Sequence, residues 1–179
     1  MRIQRFDEHR AMPWANGLGT SYEVASDRNA DGEWTWRVAI APVVEDGPFS
    51  SLSGVDRELV VIEGNGMVLD VDGKSVKCMP SQVVRFSGDS TTFARLVDGA
   101  VVDIGLMTVR GTIAGSMVVI TDAGDEFASD VTVAVGDAVL ETADGKHYRL
   151  GNKDALLDVR GHQLVLLSGM AIAMQTKSL

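Results

Sequence analysis

Three observations predict an all-β fold. Short apolar runs rich in Val, Ile and Leu alternate with Gly and Asp from about Trp34 to the end, and the 179 residues include 19 Gly, above the usual share. No stretch carries an apolar stripe of 3.6-residue period over three turns, so any helix should be short. Between pairs of those runs sit Asp-Gly dipeptides, which supply the positive φ angles of a tight hairpin.

Taken in order, residues 37–41 (Arg-Val-Ala-Ile-Ala) continue a Trp-Thr-Trp run, and residues 58–62 run into Gly64. Each has strand length and is bounded by turn residues. Residues 67–71 and 75–77 flank Asp72-Gly73, and residues 138–142 and 146–150 flank Asp144-Gly145, so both pairs read as hairpins. Residues 163–167 and 170–174 flank Ser168-Gly169, a third hairpin expectation. The segment 68–86 can be laid beside 139–159 if the second gains one residue before its Asp-Gly. Two readings stay open: hairpins of one length that look alike, or an internal duplication giving two similar barrels or sandwiches. No linker separates the segments. The expectation is one compact unit over 1–179 whose halves, 1–111 and 112–179, share one interface.

Composition bounds the function. The chain has 45% hydrophobic and 23% charged residues, near the averages for soluble globular proteins, and no apolar run of membrane-spanning length. A formal charge of −9 with no Lys/Arg block argues against nucleic-acid and anionic-membrane partners. The N-terminus lacks the apolar core of a secretory signal, and one cysteine, Cys78, cannot form an intrachain disulfide. Cytoplasmic residence is expected. Exposed sheet edges leave a homodimer open as an assembly.

The residues speak against metal and nucleophile chemistry. His9, His147 and His162 have no H-x-H or H-x-x-x-H spacing, so no metal and no cofactor is expected. Ser50 and Ser168 lack a G-x-S-x-G elbow. GLG at 17–19 and GNG at 64–66 complete no phosphate loop and read as turns or bulges. What remains is a set of recognition-type residues early in the chain. Trp14, Asn16 and Thr20 put a flat ring beside amide and hydroxyl groups, with Gly17 and Gly19 allowing close backbone approach. Trp36 and Arg37 open a strand; Phe49 and Ser50 lie in a turn; Asp56 and Arg57 close the segment. A planar fork of donors suits a carboxylate, so Arg57, and after it Arg37, is expected to hold an anion at a pocket mouth.

The blocks WANGLGTSYEVA, WRVAIAPVVEDGPFSSLSGVDRELVVIEG and FSGDSTTFARLVDGAVVDIGLMTVRG, in this order over residues 6–111, resemble the HutD family, whose members also appear as Ves-type proteins. The resemblance implies cupin-like (RmlC-like jelly-roll) β-barrels in a bicupin arrangement. It also implies an association with histidine utilisation, regulated by binding an intermediate such as formylglutamate, with no established catalysis. The family motif carried over here includes Trp14, Asn16, Thr20, Trp36, Arg37, Phe49, Ser50, Asp56, Arg57, Asp103 and Met107. Leu18 and Gly105 depart from it, standing where the family usually has a glycine and an asparagine. The expected function is metal-free binding of a small anionic metabolite. The alternatives are a metal-independent hydrolase or isomerase using Asp56 or Asp103 with Arg57, and an interaction module with a vestigial pocket.

Overall fold

A computed structural model describes residues 1–179 except positions 15, 16 and 18. As the alternation predicts, the regular structure among the described residues is strands, apart from a short 3-10 turn over Phe6–Glu8. Among the described residues, no helix is long and apolar enough to cross a membrane. The chain divides into two compact units, Met1–His9 with Ser116–Thr176, and Arg10–Gly115 with Lys177–Leu179.

After β1 (Arg2–Gln4), the larger unit is built from β2 (Arg10–Pro13), β3 (Thr20–Arg28), β4 (Trp34–Val43), β5 (Gly47–Pro48), β6 (Val55–Glu63), β7 (Met67–Val71), β8 (Lys74–Cys78), β9 (Val84–Ser87), β10 (Thr92–Leu96) and β11 (Val101–Val109). Antiparallel pairing divides these into a sheet of order β2-β3-β4-β11-β6-β9 and a sheet of order β5-β10-β7-β8. The two face each other across a core in which Leu59 and Val61 of the first meet Met67 and Leu69 of the second. All four are at most 2% exposed. Each contributes about 1.5–3 kcal/mol of hydrophobic stabilisation.

The remaining strands are β12 (Ile113–Ile120), β13 (Glu126–Ala128), β14 (Val131–Thr142), β15 (His147–Leu150), β16 (Ala155–Leu157) and β17 (Gln163–Ser178). They form one sheet of order β1-β16-β14-β17-β12, with β13 on β17 and β15 on β14. Leu140, Leu156, Leu164 and Leu166 are the fully buried centre of its core. The N-terminal segment is tied into this unit at Asp154. Its carboxylate accepts from Arg5 Nη1 at 2.5 Å, from the Phe6 N–H at 3.0 Å and from the Gly151 N–H at 2.8 Å.

Two expected hairpins are present. Asp72 (φ 51°) and Gly73 (φ 79°) join β7 to β8, and Gly145 (φ 78°) turns β14 into β15. The third expectation needs correction. Residues on either side of Ser168-Gly169 do not pair with each other; β17 runs straight through as a single 16-residue strand whose register against β14 shifts there. Gly169 is a bulge glycine: its φ is 89°, and a Cβ would collide with the Asp137 carbonyl and the Ala138 backbone.

That bulge makes sense of the similar hairpins. In the larger unit β6 pairs with β9 and β11, while β7 pairs with β8 and β10. In the other unit the first half of β14 pairs with β16 and the second half of β17, while its second half pairs with β15 and the first half of β17. One pairing scheme therefore occurs twice. Where the larger unit breaks its strands at Gly64-Asn65-Gly66 and at residues 97–100, the other keeps them continuous and bulged. Gly64 makes the close approach to Ala100 and Val101 that Gly169 makes to Asp137 and Ala138.

Candidate functional site

The larger unit encloses a cavity of about 290 Å³ over the middle of its six-stranded sheet. Alternation along three neighbouring strands makes the floor. From β4 come Arg37, Ala39, Ala41 and Val43; from β11 come Asp103, Gly105 and Met107; from β6 comes Arg57. Register sets them in rows, Arg37 opposite Met107 opposite Arg57, then Ala39 opposite Gly105, then Ala41 opposite Asp103. The alanines and glycine leave the room that larger side chains would fill.

Arg37 is the group whose bonding is incomplete. Among the described residues its buried Nε has no hydrogen-bond partner, while Nη1 and Nη2 reach only the thioether sulfurs of Met12 at 3.9 Å and Met107 at 3.6 Å. Thioethers are weak acceptors. The guanidinium carbon lies 4.9 Å from the Trp34 ring centroid, a cation–π contact. Burial pulls its pKa below the ordinary arginine value, opposed by the charge of Glu23.

Arg57 is better held. Its Nη1 donates to the Ser50 carbonyl at 3.2 Å, and its guanidinium carbon is 5.1 Å from each of the Phe49 and Phe86 rings. Burial lowers its pKa, Asp103 opposes this, and Arg37 adds to it. Asp103 is 4% exposed, and burial pushes its carboxyl up to about 7 against the pull of Arg57. Nearby Cys78, buried in the core, is pushed up to about 12 by desolvation and is inert as a thiol.

Over the cavity, Trp14 donates from Nε1 to the Ser21 hydroxyl at 2.7 Å. A Cβ on Gly19 would lie 2.8 Å from the Trp14 ring, so this glycine is what lets the indole lie on the strand.

Of the residues expected at a site, Trp14, Arg37, Phe49, Ser50, Arg57 and Met107 line this cavity together. Three described ones do not. Trp36 precedes Arg37 on β4 and so projects to the opposite face of the sheet. Thr20 pairs with Pro13 at the start of β3, and its neighbour Ser21 supplies the cavity hydroxyl. Asp56 is exposed and accepts from Arg110 Nε at 2.8 Å. Asn16 and Leu18 lie outside the described residues. Gly105, the departure from the family motif, lies in the cavity floor; Ala39 and Ala41 are lining residues the sequence reading lacks, yet R-x-A-x-A in β4 and D-x-G-x-M in β11 are period-2 patterns that mark one small-residue face. Among the described residues, no three His, Cys, Asp or Glu side chains gather as a metal site.

Comparison with known proteins adds the following. The HutD family model matches residues 6–175. The chain is 36% identical over 110 residues to an uncharacterized 21.2 kDa protein in the hutC 3' region of Pseudomonas putida, covering 60% of this chain and 57% of that protein. It is 33% identical over 106 residues to protein Ves of Citrobacter koseri, covering 56% of each. The matches thus span only a little over half the length of these two relatives. A solved structure of HutD from Pseudomonas fluorescens SBW25 superposes with a TM-score of 0.84 at 27% identity, covering 99% of this chain and 98% of that one. A cupin 2 conserved barrel domain protein from Leptotrichia buccalis superposes at a TM-score of 0.55 with 10% identity, over 98% of this chain and 96% of that one, a likeness of fold alone. The fold is cupin-like.

Proposed function

The chain belongs to the HutD family, and from that premise we propose that its cavity binds a small carboxylate and returns it unchanged, as a regulator or sink in histidine utilisation. The observation that carries this reading is Arg37, a half-buried arginine whose buried Nε has no hydrogen-bond partner among the described residues and whose other donors reach thioether sulfurs. A buried charge left without an acceptor is costly, and a carboxylate satisfies two of its donors at once. Arg57, fixed between two rings, supplies a second positive group. The P. putida relative's name refers to the hutC region, which supports an acid of histidine utilisation as the ligand. Such a role belongs in the cytoplasm.

A second reading, metal-independent acid–base catalysis by Asp103 with Arg57, is favoured by the place of Asp103, a buried carboxyl in the cavity floor whose pKa burial raises. Product formation separates the two.

Thermal unfolding against histidine, urocanate, formiminoglutamate, formylglutamate and glutamate tests the proposal. An acid at a hundred times its Kd stabilises the native state by about 2.7 kcal/mol, a rise of roughly 5–10 °C for a chain of this size. The shift is expected for one of them, absent in Arg37→Gln and weakened in Arg57→Ala. No shift with any acid, or a shift that survives both substitutions in folded protein, overturns the reading.

A further inference from the structure

The cavity floor has two chemically different ends. Arg37 and Arg57 flank Met107 at one end of β11, and the backbone of Asp103 lies four residues along the same strand, roughly 13 Å from that of Met107 at about 3.3 Å per residue. Between them is Gly105, where an added Cβ would meet nothing closer than the Met107 methyl at 3.9 Å and the Glu58 carbonyl at 4.0 Å. The middle of the floor is therefore open, and its ends carry opposite charges. Asp103 and Arg57 act on each other through charge rather than through a direct hydrogen bond.

From this arrangement we propose that the cavity selects an elongated acid carrying a cationic or N–H donor group at the end opposite its carboxylate. The carboxylate lies on Arg37, the chain lies over Gly105, and Asp103 receives the donor. The inference rests on the carboxylate reading above and deepens it: Asp103 is a specificity-determining residue. A simple monocarboxylate satisfies Arg37 and leaves Asp103 buried without a donor. A dicarboxylate of the same length brings a second negative charge against it. Discrimination against a ligand that leaves a buried polar group unpaired is the strongest kind a small site achieves.

Calorimetric titration at pH 8 with 5-aminovalerate, valerate and glutarate tests it. 5-Aminovalerate is expected to bind at least about tenfold more tightly than valerate or glutarate, the usual size of a hydrogen bond to a charged group. In Asp103→Asn the ratio of 5-aminovalerate to valerate affinity is expected to fall towards one. Gly105→Val serves as the second variant. Its backbone is ordinary strand, and a β-branched residue suits the position, so it is expected to melt no lower than wild type while losing all three ligands. Equal affinities for 5-aminovalerate and valerate overturn this inference and leave the carboxylate reading standing. Binding of none of the three, and of no acid in the thermal series, overturns both. Retention of the tenfold ratio in folded Asp103→Asn removes Asp103 from the role.

Discussion

The groups that make the cavity chemically useful are also those that burden the fold, and Asp103 is the clearest case. Burial raises its carboxyl from 3.8 to about 7, with Arg57 pulling the other way; Arg37 lines the same cavity, and Cys78 faces it from the core. The native state then binds a proton more tightly than the unfolded chain, so this group's contribution is fully present below about pH 4 and is lost as pH rises through about 7. Asp103→Asn is expected to melt higher than wild type at pH 8, by at most on the order of 4 kcal/mol, with the gap closing near pH 4 in calorimetric scans. His9 has the opposite sign. Both its ring nitrogens are buried without partners, and burial lowers its pKa from 6.5 although Asp154, Glu8 and Asp7 pull it up. Stability from the neutral ring is present above the ordinary value of 6.5 and falls as pH drops below it. His9→Phe should lose less stability than wild type between pH 7.5 and 5.5 in urea unfolding; an unchanged difference would refute the assignment. Arg37 and Arg57 were legible as anion-binding types from the sequence, because a guanidinium in an acidic chain stands out. Trp36 was not separable from its neighbour, because residue type carries no information about which face of a strand it occupies.

At the scale of the element, period-2 alternation decides function as well as burial. R-x-A-x-A on β4 and D-x-G-x-M on β11 put charge at the ends and space in the middle of one sheet face. Their meaning depends on the two strands being neighbours in register, which neither segment encodes alone. Asp72-Gly73 was read correctly because a two-residue turn with positive φ at both positions is a local demand. Ser168-Gly169 was misread because a bulge needs the same conformation as a turn. Gly169→Ala would set a Cβ against the Asp137 carbonyl at φ 89°. It is expected to cost about 3 kcal/mol or more, combining left-handed strain with overpacking. A loss below about 1 kcal/mol in denaturant unfolding would mean the bulge relaxes easily.

For the whole molecule, the repeated pairing scheme and the chain's path matter most. The smaller unit takes its edge strand β1 from the N-terminus, so its sheet is completed by residues more than a hundred positions away in sequence. Asp154 secures that closure through Arg5, Phe6 and Gly151. Burial opposes its ionisation, but these hydrogen bonds outweigh it and hold the carboxyl below its ordinary range. Asp154→Ala is expected to cost about 3 kcal/mol. Hydrogen exchange should show protection falling in β14 and β16 while β4 and β11 keep theirs; a uniform loss would argue against a local role.

The sequence by itself determined the all-β class, two of the hairpins, the likeness between two segments and the residue types suited to an anion. These follow from short-range physics: alternation, turn conformations and the chemistry of a guanidinium. Only the tertiary structure decided that Arg37 rather than Asp56 or Trp36 faces the cavity, that its Nε lacks an acceptor among the described residues, and that Asp103 and Gly105 complete the floor. Those facts depend on strand register and on desolvation by residues distant in the chain, and a buried charge acquires its cost only when the strands that exclude water from it have come together.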